Sequence, residues 1–227
     1  MRIIPAIDIL NGKVVRLFKG QFSDKREYSD DPISTAQMWQ DQGARYLHIV
    51  DLDGARDGEP KNLSIIEKIV TKISIPVEVG GGIRTPEDIA KYLSFGIDKV
   101  VLGSAVMHNL SFLDQNEVQE NIKKIVLSFD AVWEEDDVLP TMKVGTSGWH
   151  KEVSIMDYRG LIDRFISAGI EHLNYTDRSK DGTLTGLSEN DVGGLASFLE
   201  TIKSEAFKVV YAGGIASLND LKRLATL

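Results

Sequence analysis

The chain contains no cysteine. That removes disulfide bridges, thiolate nucleophiles and thiolate-held metals together, and it suits a reducing compartment. Basic residues are the minority, 26 Lys and Arg against 34 Asp and Glu, for a formal net charge of -8. An imbalance of that sign argues against a broad surface for nucleic acid or anionic membrane, while leaving room for a local cationic site that holds a small anion. Nowhere do about 18 apolar residues follow one another without a charge, so no membrane-spanning helix is expected. His48, His108, His150 and His172 share no HxxxH or HxH spacing, and no metal site is expected. GxGxxG, Walker A and GxSxG patterns are also missing, which removes the usual support for dinucleotide redox, nucleotide hydrolysis and serine-hydrolase chemistry.

What is present is ordinary globular composition, 42% hydrophobic and 26% charged over 227 residues, long enough to bury a sizeable core. The expectation is a soluble, cytoplasmic chain whose residues 1–227 form a single domain. Short apolar runs rich in β-formers recur at 3–9, 46–53, 75–81, 99–104, 124–131, 172–177 and 207–214. Most lack polar alternation, as strands covered on both faces do. Helical spacing falls between them: Ile66, Ile69, Val70 and Ile73 lie at i, i+3, i+4 and i+7, as do Leu195, Phe198, Leu199 and Ile202. Thr85-Pro86-Glu87-Asp88 and Ser188-Glu189-Asn190-Asp191 carry helix-start chemistry. Strands alternating with helices over this length predict an α/β fold, a (β/α)8 TIM barrel, with a doubly wound open sheet as the alternative.

An internal repeat favours the barrel. GGGIRTPEDI (80–89) aligns without gaps on AGGIASLNDL (212–221), and the IDI around Asp8 is echoed by FDA around Asp130. Each Asp strand leads into one of the two longest connections, 10–31 and 132–156. Two similar half-barrels with equivalent chemistry on opposite sides of one mouth are expected. On this count the eighth strand–helix unit is missing, leaving strands one and seven with unpaired edges, and the barrel is read as C-terminally incomplete.

The candidate chemistry sits at strand ends. Asp8 and Asp130, near the C-terminal ends of strands one and five, can divide acid and base roles across the mouth. Taken singly, each Asp serves equally well as a turn cap or as the neutraliser of a nearby Lys. Gly80-Gly81-Gly82 and Gly213-Gly214 each follow a strand and precede a helix, and Gly103-Ser104 follows strand four. Such amides can approach phosphate, although tight βα turns demand glycine in any case. Asp51 and Thr176 end strands two and six, and Asp181-Gly182-Thr183 is either a polar holding loop or a simple turn. Trp149, in the long fifth connection, can stack on a flat ligand or cover a satellite core. Arg16, Lys19 and Arg84 can neutralise phosphate or stand in solvent. His48, inside strand two, is read as a hydrogen-bonded structural residue.

Taken together, IIPAIDILNGKVVRLFKG, LHIVDLDGARDG, VEVGGGIR, KVVLGSA, FDA, SGW, TDRSKDGTLTG and AGGI resemble the phosphoribosylformimino-5-aminoimidazole carboxamide ribotide isomerase family of histidine biosynthesis, in collinear order over essentially the whole chain. The resemblance implies a (β/α)8 barrel of two halves that performs an Amadori rearrangement of a bisphosphorylated aminoaldose (ProFAR) to the aminoketose (PRFAR), without cofactor or metal. It implies Asp8 as general base and Asp130 as general acid, with Thr176 and Asp181 positioning substrate and supporting the acid. It further implies phosphate loops at Gly80, Gly81, Gly82, Gly103, Gly213 and Gly214, and Trp149 stacking on the aglycone. The expected partner is the small bisphosphate substrate alone, bound by a monomer. Three other readings are a dual-substrate isomerase that also takes phosphoribosylanthranilate, the related cyclase of the same pathway, and a non-catalytic phosphosugar-binding barrel. The cyclase fits less well, because its first strand typically carries Cys where this chain has Ile7.

Overall fold

The structure is a computed structural model and describes residues 1–134, 141–146, 151–155, 157–202, 204 and 207–227. In chain order its first half comprises β1 (Ala6–Leu10), β2 (Lys13–Phe18), β3 (Gln21–Ser29), α1 (Pro32–Asp41), β4 (Leu47–Asp51), α2 (Leu52–Asp57), α3 (Leu63–Lys72), β5 (Val77–Gly80), α4 (Pro86–Ser94), β6 (Lys99–Leu102), α5 (Ser104–His108) and α6 (Asn116–Gln119). The second half comprises β7 (Ile125–Glu134), β8 (Thr141–Thr146), β9 (Lys151–Ile155), α7 (Tyr158–Ser167), β10 (His172–Asp177), α8 (Glu189–Glu200), β11 (Lys208–Ala212) and α9 (Leu218–Leu224). Among the described residues no helix is long and apolar enough to cross a membrane.

The parallel strands run in the order β11-β10-β7-β6-β5-β4-β1, neighbours in sequence being neighbours in space. Helices follow them as crossovers, which is why the sheet is parallel. The apolar runs conceal an alternation of two kinds of burial. Ile7, Ile9, Leu47, Ile49, Val77 and Val79 are buried in the main core. The residues between them, including Asp8, His48, Val50, Glu78 and Gly80, line a central cavity. Side chains from every one of the seven parallel strands reach that cavity, so the sheet curls around it in the manner of a TIM barrel.

The helix starts hold as the sequence implies. Thr85 with Asp88, Ser188 with Asp191 and Ser217 with Asp220 form reciprocal capping boxes on α4, α8 and α9. The two long connections are antiparallel extensions of the sheet. β2 pairs β1 through Asp8 with Val15, and β3 pairs β2. β8 pairs β7 and β9 pairs β8. The same device therefore follows both Asp strands, and β1 is not left with a bare edge, because β2 occupies its other side over Asp8–Leu10. Among the described residues β11 pairs with β10 alone.

The duplicated glycines show the repeat at the level of backbone angles. Gly81 and Gly82 have φ of +102° and +78°, and Gly213 and Gly214 have +100° and +72°. A Cβ on Gly81 would collide with the Asp51 carbonyl oxygen, and one on Gly213 with the Asp177 carbonyl oxygen. Both halves thus press the turn after one strand against the end of the strand before it, and only glycine permits it.

Candidate active site

The cavity has a volume of about 1000 Å³, and Asp8, Asp130, Thr176 and Asp181 all line it. Asp8 comes from β1 and Asp130 from β7. Thr176 lies beside Asp130 because β10 pairs with β7 in that register. Ser128, one inward position earlier, donates from Oγ to Asp130 Oδ1 at 3.2 Å. Asp8 and Asp130 lie midway along β1 and β7, whose ends run on into the antiparallel extensions, while Thr176 lies near the end of β10 and Asp181 in the loop after it.

Arg16 on β2 ties the mouth together. Its Nη1 donates to Asp8 Oδ2 at 3.3 Å, and its Nη2 is paired with Asp181 Oδ1. Burial works against the guanidinium charge, but the carboxylates of Asp8 and Asp181 more than offset it and hold the proton more firmly than usual. Asp181 itself is pushed up to about 6, first by burial and then by the charges of Asp8 and Asp130, with Arg16 opposing. Its charge therefore changes on the acid side of neutrality.

The backbone around Asp181 explains its placement. Thr183 N–H donates to the Lys180 carbonyl at 3.1 Å, closing a turn in which Gly182 has φ of +73°. A side chain on Gly182 would strike the Leu17 carbonyl, and Lys19 N–H donates to the Asp181 carbonyl at 3.0 Å. The Asp-Gly-Thr segment is therefore both a turn and the dock between the loop after β10 and the β2–β3 hairpin.

The other expected site residues divide. Gly80, Gly81, Gly82, Arg84, Gly103 and Ser104 line the cavity. Gly103 is the N-cap of α5 and makes no side-chain cap bond, and its carbonyl accepts from the amides of Val106 and Met107. Arg84 is exposed, and its guanidinium lies over Gly58. Gly213 and Gly214 are buried and are not in the cavity wall, where Ala212 stands instead. Lys19 is exposed, with its ammonium 5.7 Å from the centroid of the Phe18 ring. Trp149 lies outside the described residues. Asp51 is fully buried and accepts from the amides of Gly54, Lys61 and Asn62 at 2.8–2.9 Å and from Asn62 Nδ2 at 2.7 Å, which makes it the anchor of the loop after β4.

The sequence reading missed part of the cavity floor. His48 Nδ1 shares a 2.7 Å hydrogen bond with Glu78 Oε1, and Asn174 Nδ2 donates to the same oxygen at 2.8 Å. The bonded role expected of His48 is what the structure shows, but Glu78 and Asn174 were not singled out. Glu78 is a lone acid in the apolar strand β5, whereas Asn174 stands among the other polar residues of β10, and nothing near either in the sequence supplies the partner that gives it a role.

A curled, mostly parallel sheet whose strands surround one cavity lined by carboxylates and a bridging guanidinium defines an α/β fold of the TIM-barrel kind. The chain belongs to the family described as "Histidine biosynthesis protein", whose model matches residues 2–227. It is 42% identical over 227 residues to the 1-(5-phosphoribosyl)-5-((5-phosphoribosylamino)methylideneamino)imidazole-4-carboxamide isomerase of Listeria monocytogenes, covering 100% of this chain and 88% of that protein. To the Desulforudis audaxviator protein of the same name it is 38% identical, covering 100% of this chain and 80% of the relative. To that of Brevibacillus brevis it is 39% identical over 224 residues, covering 99% and 84%.

Proposed function

We propose that the chain catalyses the intramolecular aldose–ketose isomerisation named by these relatives, in the biosynthesis of histidine. The substrate is the bisphosphorylated aminoaldose and the product its aminoketose. Asp130 donates a proton to the furanose ring oxygen, the C1–O bond breaks, and the nitrogen lone pair forms a protonated Schiff base at C1. Asp8 then takes the proton from C2, and the electrons of that C–H bond move to give an enolamine. Reprotonation at C1 and loss of the enol proton yield the ketone, so atoms and charge balance without any oxidant or co-reactant. Thr176 and Asp181 position the sugar and support the acid. The glycines at 80–82 and at 103, at the ends of the adjacent strands β5 and β6, serve one phosphate with Arg84 and Ser104. The related turn at Gly213 and Gly214, after β11 and next to Ala212 in the cavity wall, serves the other.

The observation that carries this reading is the convergence of Asp8, Asp130, Thr176 and Asp181 on one cavity, in a member of this family. Incubation with the aminoaldose followed by chromatographic separation of the two equal-mass isomers tests it. Aminoketose formation is expected. Substrate binding with no conversion would replace the isomerase with a phosphosugar-binding barrel. The protein is read as soluble, cytoplasmic and monomeric.

A further inference from the structure

Among the described residues two arginines line the cavity, Arg16 and Arg84. Arg16 is engaged by Asp8 and Asp181. The Arg84 guanidinium has no hydrogen bond or ion pair among the described residues, and it rests on bare backbone instead. A Cβ built on Gly58 would fall 2.5 Å from Arg84 Nη1 and 2.6 Å from its Cζ. Gly58 ends α2 in the left-handed region, with φ of +85°, and its N–H donates to the Gly54 carbonyl at 2.7 Å. That conformation favours glycine, and the missing side chain leaves the space that the guanidinium fills.

The carboxylates on either side of Gly58 in the chain are both taken. Arg56 donates from Nε and Nη2 to Asp57 at 2.7 and 3.2 Å, the two-pronged geometry that suits a guanidinium and a carboxylate. Lys61 pairs with Glu59 at 2.5 Å. Asp88, four residues after Arg84, accepts from the amides of Arg84 and Thr85 at 3.0 Å. The same segment presses on the glycine turn after β5, where a Cβ on Gly82 would strike the Glu59 carbonyl.

We propose, resting on the phosphate role given to Arg84 above, that Gly58 and the Arg56–Asp57 pair position Arg84 for the substrate's phosphate. Gly58 supplies the surface against which the guanidinium lies, and Arg56 occupies the Asp57 carboxylate that would otherwise compete with the phosphate. An arginine seated in one place and left unpaired presents its fork of N–H donors to a phosphate monoester at a lower cost in ordering.

The test measures KM and kcat for the bisphosphorylated aminoaldose, beside titration with inorganic phosphate read at the amide signals of Gly81 and Gly82. Gly58→Ala pushes the guanidinium off its seat, so KM is expected to rise about tenfold and phosphate binding to weaken similarly, with kcat within about threefold. Arg84→Met is expected to do the same, and the double variant to be no worse than Arg84→Met, since both remove one contact. Gly43→Ala separates strain from displacement: its φ is +94° but a Cβ there meets nothing within 4 Å, and KM is expected within about twofold of the parent. Arg56→Met leaves the turn's backbone alone and keeps the test open if Gly58→Ala does not fold. It frees Asp57, and KM is expected to rise about threefold and to return when Asp57→Asn is added. Parental KM in folded Gly58→Ala or in Arg56→Met, or losses that multiply in the Gly58→Ala/Arg84→Met protein, would each overturn the proposal. Parental KM and phosphate binding in Arg84→Met would defeat the phosphate role of Arg84 and the proposal with it. A parent chain without turnover would defeat the isomerase reading alone, because the phosphate titration requires no conversion.

Discussion

The Arg16 guanidinium reaches Asp8 and Asp181 at once, joining the first strand of one half of the barrel to the loop after β10 in the other. Because Asp8 and Asp181 lie 173 residues apart in sequence and Arg16 on β2 bridges them, the hairpin is part of the site's framework. Replacing Arg16 by Met removes both bridging hydrogen bonds and leaves two carboxylates without their shared cation. Steady-state kinetics are expected to show a loss of about 100-fold in kcat/KM. A variant within threefold of the parent would show that the bridge is incidental.

Asp181 gives the site a pH signature with a definite sign. Its proton is held up to about 6 in the folded chain, against an ordinary value of 3.8. A raised carboxyl lends stability that is complete below about 4 and is lost as pH rises through about 6. Asp181→Asn cannot ionise, so it should be more stable than the parent above pH 6, by up to about 3 kcal/mol, with the difference closing toward pH 4. Urea denaturation at several pH values measures this. A constant difference across the range would contradict it. The same variant should lose activity, the expected exchange of stability for function at a charged mouth.

Asp51 bears on folding alone. Its four accepted hydrogen bonds gather residues 54, 61 and 62 beneath the mouth. Asp51→Ala strands buried donors with nothing to replace the carboxylate, and a loss of about 3 kcal/mol or more is expected in chemical denaturation. Retention of parental stability would show that water takes over the donors.

Gly81 and Gly43 separate two costs of adding a methyl group. Both have positive φ, +102° and +94°, but a Cβ on Gly43 meets nothing within 4 Å, whereas one on Gly81 meets the Asp51 carbonyl. Gly81→Ala should therefore be the more destabilising by about 1–3 kcal/mol, and Gly213→Ala should behave like Gly81→Ala. Equal effects of Gly43→Ala and Gly81→Ala would remove the close approach from the account.

Much of this was readable beforehand, for reasons that can be named. Strands such as Leu47–Asp51 announce themselves because their outward residues are large and apolar, and the capping residues Thr85 and Ser188 mark helix starts by local chemistry. The β2–β3 hairpin was hidden because β3 (Gln21–Ser29) is mostly exposed and polar, with no apolar alternation to betray it. Asp8 and Asp130 were legible through the repeat. Glu78 and Asn174 were not, because a polar residue inside a strand acquires meaning only when the barrel closes its neighbours around it. The raised Asp181 is likewise a product of convergence: nothing local to Asp-Gly-Thr signals that three other charged groups will surround it.

The central claim is that Asp8 removes a proton from bound substrate. Turnover and substrate affinity of the parent chain and its Asp8→Asn variant, measured side by side, test it most directly. The account predicts conversion by the parent, a fall of about 1000-fold or more in the variant, and affinity within about tenfold of the parent. Near-parental turnover by Asp8→Asn would contradict it.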